Sequence, residues 1–516
     1  MSISLCMITK NEERFLMDCL NSVKDAIDEI IIVDTGSTDR TCEIALSFGA
    51  KIYHRPWEQD FAAPRNFGID RAKGQWILIL DADETLEASV TIRQMVTDAE
   101  KDIEGFLMNI CNYSDDAKSL IEQSVGLRLF RNQPRFRYFG ALHEQLPLQD
   151  ANVALSGLII HHFGYMPSVT LAKEKHIRNL EILMKEKVKN PNSAFVYYNL
   201  GTEYVRLKQY STALKHYTTS LDLLDQETGY EARMYKLMTL CYLHLEPNPK
   251  HLSTLQQGVQ YFPDYPDLYY MRGLYFEKLG IYPQAVADFI HCLVMDHRLE
   301  NVPDIYVKEE GITSYKAYFA LGRVYEKLGK HQEAFTAYGR SLRCKPLYPE
   351  VMQVIQQRFS KELSQLIRFL EEHVFLGAEN EQLRFQYAKH YYELGTYSTV
   401  VSLLDHFTDP LWADQTDWIR GICYYHLDHW EQAAPLLANV PLNHPHYVEA
   451  SAYLMAMLWA EEHTEPAKKM LDALDDPGPS LLKLIEIRIS ERELTIRGGL
   501  EQYPESTRLK QVPHYG

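Results

Sequence analysis

The sequence predicts an α/β domain followed by an all-α superhelix. Three observations predict it. Residues 1–165 alternate apolar, strand-like runs with helical stretches, a pattern that implies a mostly parallel sheet covered by helices. From Pro167 onward the chain reads as helix and is rich in Tyr, Leu and Ala. This second region also repeats itself. The 516 residues are too many for one ordinary core. The expected division is an α/β domain over 1–165, a linker helix over 166–190 and repeats over 191–516.

Taken in order, "ISLCMIT" (3–9), "EIIIVDTG" (29–36), "AKIYHRPW" (50–57) and "QWILILDAD" (75–83) read as strands. Helices are predicted over 11–26 and 37–49, between the first three strands. In the first of these, Phe15, Leu16, Cys19, Leu20 and Val23 form one apolar stripe. Gly49 sits where a helix C-cap belongs.

In the second region, Gly201, Tyr204, Ala213 and Tyr217 align with Gly273, Phe276, Ala285 and Phe289. The set recurs at Gly322, Tyr325, Ala334 and Tyr338, with Pro346 closing the unit, and in part at Gly421, Tyr424 and Ala433. This resembles the tetratricopeptide repeat, two antiparallel helices in a unit of about 34 residues. The resemblance implies a stacked superhelix with a concave face. The aromatics are read as packing residues, and the stretches 229–262 and 350–410 as degenerate repeats.

Composition narrows the function. The chain is 46% hydrophobic and 24% charged, an ordinary balance for a globular protein. A net charge of −17 argues against a nucleic-acid partner. The eight cysteines form no CxxC pair or zinc spacing and read as reduced thiols of a cytoplasmic protein. The first residues, "MSISLCMITKNEER", do not read as a signal peptide. No run is long enough for a membrane span.

Chemistry is expected at the sheet edge. In an open parallel sheet, ligands bind beyond the carboxyl ends of the strands. The first strand ends in Thr9, followed by Lys10, Asn11 and Glu12; the second runs into "VDTGSTDRT", with Asp34 and Asp39; the fourth runs into "DADE", with Asp81, Asp83 and Glu84. Carboxylates at such a tip suit a hard divalent cation, Mn²⁺ or Mg²⁺, shared with substrate phosphates. The chain has no GxxxxGK[ST] motif, and no GxGxxG follows the first strand.

The motifs "SLCMITKNEE", "IIIVDTGSTDRT", "DFAAPRNFGIDRAKGQWILILDADE" and "LRLFRNQPRFRYFGALHEQL" resemble the family 2 glycosyltransferases, of glycosyltransferase A fold. Coupled to the repeats, they are similar to bacterial peptide and protein glycosyltransferases, such as bacteriocin S-glycosyltransferases and flagellin glycosyltransferases. The resemblance implies a donor site of Thr9, Asn11, Glu12, Asp34, Ser37, Asp39, Arg65 and Asp81. Asp34 would read the uracil or ribose, and Arg65 would lie near the diphosphate. Ser37 and Asp39 have helix capping as the rival reading. Asp83 would ligate the cation, with His162 as the late histidine. Glu144 would be the catalytic base, oriented by His143, with Asp115 and Asp116 in reserve. Arg128, Arg131, Arg135 and Arg137 are divided between a solvated loop and contacts to diphosphate or acceptor.

The implied function is inverting, metal-dependent transfer of a sugar from a UDP-sugar to a peptide or protein side chain, on Ser, Thr or Cys. The repeats would hold the acceptor. The competing reading is an interaction or regulatory protein whose repeats carry the function and whose transferase domain is vestigial or secondary. Intact Asp34, Asp81, Asp83 and Glu144 weigh against decay. Repeat proteins often dimerise, so the oligomeric state stays open.

Overall fold

The computed structural model describes every residue except 88–89, 114–119, 149–150, 164–168, 225–228, 250, 297–305, 360–361, 377–379, 406, 408–411 and 461–516. The chain forms two compact units, Met1–Ala337 and Tyr338–Gly516.

The first unit begins with β1 (Ile3–Thr9), α1 (Leu16–Val23), β2 (Glu29–Asp34), α2 (Thr41–Ser47), β3 (Lys51–His54), α3 (Ala62–Ile69) and β4 (Trp76–Ile79). Then come β5 (Glu84–Leu86), α4 (Val90–Asp98), β6 (Gly105–Tyr113), β7 (Leu120–Arg131) and β8 (Val153–His162). The sheet order is β3-β2-β1-β4-β7-β6-β8-β5. The first four strands are parallel; β1, β2 and β4 are largely apolar and buried on both faces, while β3 is a part-exposed edge. β7 then pairs antiparallel with β4 and β6, so the sheet is mixed beyond β4.

Alternate residues of the strands serve two cores. Ile3, Leu5, Met7, Trp76 and Leu78 pack with Leu16, Cys19, Leu20 and Val23 of α1. Cys6, Ile31, Ile77 and Ile79 pack on the other face with Ile69, Phe130 and Phe136. The expected apolar stripe of α1 is therefore its buried face. The helix starts at Leu16 rather than residue 11 because the preceding loop is bonded elsewhere. The amides of Asn11, Glu12 and Glu13 donate to Ser37 Oγ, Thr41 Oγ1 and Asp39 Oδ2.

Helices follow: α5 (Val169–Lys189), α6 (Ala194–Arg206), α7 (Tyr210–Leu223), α8 (Glu231–His244), α9 (His251–Tyr261), α10 (Pro266–Lys278), α11 (Tyr282–Asp296) and α12 (Tyr315–Lys327). Between the last two lies a short strand, β9 (Lys308–Glu309), which pairs with Glu122 and Gln123 of β7. It covers the N-terminal part of β7, while β4 pairs with the C-terminal part. The strand is fixed by charge. Lys236 Nζ lies 2.5 Å from Asp267 and 3.1 Å from Glu309, and Asp267 also accepts the Glu309 amide.

The repeat residues pack as their spacing predicts. Ala213, Tyr217, Ala285 and Phe289 are fully buried. A Cβ on Gly201 would lie 2.5 Å from the Tyr217 ring, and one on Gly273 2.6 Å from Phe289. Gly201→Ala is expected to destabilise the unit by about 1–3 kcal/mol, the usual cost of overpacking. A thermal melt of the full chain checks this, and an unchanged midpoint would refute the close packing. The degenerate stretch 229–262 also folds as a helix pair, with Gly258 against the Tyr235 ring.

The second unit continues with helices Pro349–Phe359, Leu363–His373, Glu381–Glu393, Tyr397–Leu404, Ala413–His426, Trp430–Ala438 and Tyr447–Ala460. Gly421 allows the same close approach there, its Cβ position 2.7 Å from Leu437. Among the described residues no helix is long and apolar enough to cross a membrane.

Candidate active site

Register brings the strand tips together. Thr9 of β1 sits beside Asp34 of β2, with Thr9 Oγ1 3.5 Å from Asp34 Oδ1. Asp34 is buried and accepts the amides of Gly36 and Ser37. Gly36, at φ +113°, permits the turn that aims those amides back. Burial alone would raise the Asp34 carboxyl, but bonds from Ser37, Gly36 and His54 hold it below its usual value. Asp34, Cys42 and His54 also bring ligand-type atoms within 4.8 Å of one another. Both Asp34 oxygens already accept amides, however, and burial together with Asp34 raises the Cys42 thiol.

Asn11, Ser37 and Asp39 form a bracket between the first two tips. Asn11, at φ +59°, accepts the Thr38 amide on Oδ1 at 2.8 Å. Asp39 Oδ1 accepts the Thr41 amide and hydroxyl at 3.0 and 2.5 Å, capping the start of α2. Ser37 Oγ accepts the Asn11 amide.

The "DADE" tip sends its acids three ways. Asp81 Oδ1 accepts from Arg65 Nη2 at 2.7 Å. Burial opposes ionisation, yet Arg65 and Arg128 hold the Asp81 carboxyl at about 2. Asp83 Oδ2 lies 3.4 Å from His162 Nε2, and the Asp83 carbonyl accepts the Phe163 amide. Glu84 turns inward, 1% exposed, accepting the Asp81 amide and a two-pronged pair from Arg128. This third acid is a structural ligand of the turn.

Asp83 and His162 have the chemistry of a cation site. His162 Nδ1 lies 2.7 Å from Asn112 Oδ1, a contact that orients the ring with Nε2 toward Asp83. A spacing of 3.4 Å between donor atoms is close to the ~3 Å expected of neighbouring ligands on an octahedral Mg²⁺ or Mn²⁺. Burial works against protonating His162, but Asp83, Glu84 and Asp81 raise its pKa. Glu12 borders the same acids: burial, then Asp83, Asp81 and Asp39, push its carboxyl up to about 7. Such crowding of carboxylates is relieved by a cation. His161, on the alternate face of β8, bonds Tyr113 and Glu87 instead.

Arg65 joins the two halves of the site. Its Nη2 holds Asp81 and its Nε lies 2.5 Å from Glu144 Oε1. Nη1 is buried with no protein partner. Tyr138 lies against the guanidinium. Glu144 stands in the turn bridged by Phe139 and Gln145. His143 does not face Glu144; its Nε2 lies 3.6 Å from Glu203 of α6.

The four arginines of the expected loop are structural. Arg128 pairs with Glu84, Arg135 with Glu104 and Arg137 with Asp70. Arg131 donates to the Ile103 and Glu100 carbonyls and stacks on Trp76. Two of them, Arg128 and Arg131, belong to β7, where each finds an acceptor on a neighbouring element. The reserve bases Asp115 and Asp116 lie outside the described residues. Sequence reasoning missed Asn112, Tyr138 and Glu203. Asn112 carries a faint signal, a polar residue within an apolar strand.

The fold and its acidic edge define a glycosyltransferase-type α/β domain joined to helical repeats. Residues 4–151 match the model "Glycosyl transferase family 2", and residues 196–223 and 315–346 match "Tetratricopeptide repeat". The N-terminal region is thus a family 2 glycosyltransferase domain, an enzyme domain, in a chain that carries tetratricopeptide repeats.

Among similar proteins is a TPR repeat-containing protein of Synechococcus elongatus, 39% identical over 175 residues, covering 32% of this chain and 42% of that protein. The SPbeta prophage-derived glycosyltransferase SunS of Bacillus subtilis is 26% identical over 257 residues, covering 48% of this chain and 60% of SunS. An uncharacterized glycosyltransferase of Rickettsia bellii is 45% identical over 84 residues, covering 16% of this chain and 28% of that protein. The chain thus spans less than two thirds of each of these relatives.

Proposed function

We propose that the chain transfers a sugar from a UDP-sugar to a peptide or protein side chain, with Ser, Thr or Cys as acceptor. The carrying observation is that one guanidinium, Arg65, bonds both Asp81 and Glu144, while Asp83, two residues on from Asp81, lies against His162 as a cation-type pair. Likeness to SunS, a glycosyltransferase, supports the reading.

In this reading Thr9, Asn11, Glu12 and Asp34 hold the nucleotide, with Ser37 and Asp39 shaping their loop. Asp83 and His162 would hold Mn²⁺ or Mg²⁺, which would supply positive charge to offset that on the leaving diphosphate. Arg65 Nη1 offers a donor that a phosphate oxygen would satisfy. Glu144 is held on one oxygen by Arg65 and takes the acceptor proton on the other. The reaction is a single in-line displacement with inversion, through an oxocarbenium-like state. In this reading residues 1–165 do the chemistry, a segment over 166–190 that includes α5 joins, and the region over 191–516 binds the acceptor chain. None of the eight cysteines forms a disulfide among the described residues, which suits a reducing, cytoplasmic setting.

Mass spectrometry of products from a panel of UDP-sugars and candidate peptides tests this. Transfer to at least one peptide supports it, and donor left intact throughout counts against it. Chelator is expected to abolish transfer, and Mn²⁺ or Mg²⁺ to restore it. Full turnover in excess chelator would remove Asp83 and His162 from the metal role.

A further inference from the structure

We infer that Glu203, on the first repeat helix, is a positioning residue for Glu144, acting through His143. The inference rests on the reading of Glu144 as the base.

The turn that carries Glu144 is clamped residue by residue. Leu142 is buried against Ile182 and Leu183 of α5 and Val196 and Leu200 of α6. His143 reaches Glu203 on α6. Glu144 reaches Arg65 on α3. Three consecutive side chains thus meet three partner sets, two of them on helices outside the α/β sheet. The turn is also closed on itself, as Phe139 and Gln145 exchange both amide bonds at 3.0 Å.

His143 has φ +54°. A non-glycine residue in that region carries backbone strain and persists only where its surroundings over-determine it. Glu203 supplies that determination. Its side chain is fully buried, and a buried carboxylate is tolerated only when paired and bonded. Besides His143, it takes His176 Nδ1 at 2.8 Å, Asn179 Nδ2 at 3.2 Å and Arg206 Nη1 at 2.5 Å. Although burial opposes it, His143, Arg206, Asn179 and His176 hold its carboxyl at about 2. Arg206, Asn179 and His176 lie on α5 and α6 themselves. Of these partners only His143 belongs to the α/β domain. The first repeat therefore builds an anionic post, and the catalytic turn is fastened to it. If the post were lost, His143 would leave its strained conformation and Glu144 would swing with it. A shift near 1 Å in a reacting group costs on the order of 10²-fold in rate.

The test uses the full-length protein, UDP-glucose and UDP-N-acetylglucosamine as hydrolysis probes, and hydrogen exchange of residues 139–145. Glu203→Gln keeps the shape and removes the charge. His143→Ala removes the imidazole without touching α6 and brings no left-handed preference of its own to hold the turn, which guards against a folding failure in the first variant. Both are expected to lower kcat by roughly 10–100-fold, leave KM for the donor within about twofold, and speed exchange of the turn. The double variant should be little worse than either single one. Wild-type turnover and exchange in folded Glu203→Gln and His143→Ala, with only the melting point changed, would overturn the inference. A wild-type protein that hydrolyses neither probe would weigh against the transferase reading, while exchange of the turn would still decide the clamp.

Discussion

Glu144→Gln is expected to lower turnover on a hydroxyl acceptor by about 10²–10⁴-fold, the usual contribution of a positioned general base. The amide can still accept from Arg65 Nε through its oxygen, so the side chain should keep its place. It cannot take a proton. UDP binding, measured by calorimetry, should match wild type, which puts the loss in kcat rather than in KM. A thiol acceptor would soften the effect, since some thiolate is present near neutral pH without help. Comparing matched Ser and Cys peptides therefore reads the acceptor class as well as the base. Near-normal turnover on the Ser peptide would move the role to Asp115 or Asp116.

Arg65→Met is expected to be as damaging to stability as to rate. Arg65 is about 10% exposed and shared between Asp81 and Glu144. Removing one partner of a buried ion pair typically costs about 3–5 kcal/mol, because the remaining charge stays buried without compensation. Here two carboxylates would lose the same partner, Glu144 largely buried and Asp81 about a third exposed, so the cost falls mainly on Glu144. The melting midpoint should fall, and transfer should drop below detection in the fraction that stays folded. Arg65→Lys should rescue stability only in part, since one ammonium cannot reproduce a guanidinium that bonds through two different nitrogens. Wild-type melting of Arg65→Met would show that the bridge is not what joins the two acids.

The parallel half of the sheet was legible because strands buried on both faces are written as unbroken apolar runs, as in Ile30–Val33 and Ile77–Leu80. The antiparallel half was not. β7 reads "LIEQSVGLRLFR", with Glu122, Arg128 and Arg131 inside the strand. A strand bearing those charges reads as a loop until their partners are known, and Glu84 lies on a distant stretch of chain. The same limit applies at the site. Asp81 and Asp83 stand out because acids directly follow a core strand. Glu203 does not, because a glutamate in a repeat helix is ordinarily a solvated one. Its burial depends on α5 and on a histidine turn far earlier in the sequence. The resemblance placed Arg65 near a diphosphate and did not foresee that it bridges Asp81 and Glu144, since bridging is a fact of three separate elements.

The short strand β9 bears on how this protein can be made. Its partner on β7 is synthesised roughly 190 residues earlier, and so long a loop must close before that pairing gains anything. A ribosome that has finished the α/β domain has therefore released a sheet with part of one strand still lacking its neighbour. An unpaired strand edge invites pairing with another chain. Until the segment carrying Lys308 and Glu309 emerges, nascent chains on the same message are exposed to one another at Glu122 and Gln123. Glu122 also pairs with Arg233 of α8 at 3.0 Å, and that partner emerges before β9 does, so a charge on this edge is already engaged while the strand waits for its neighbour.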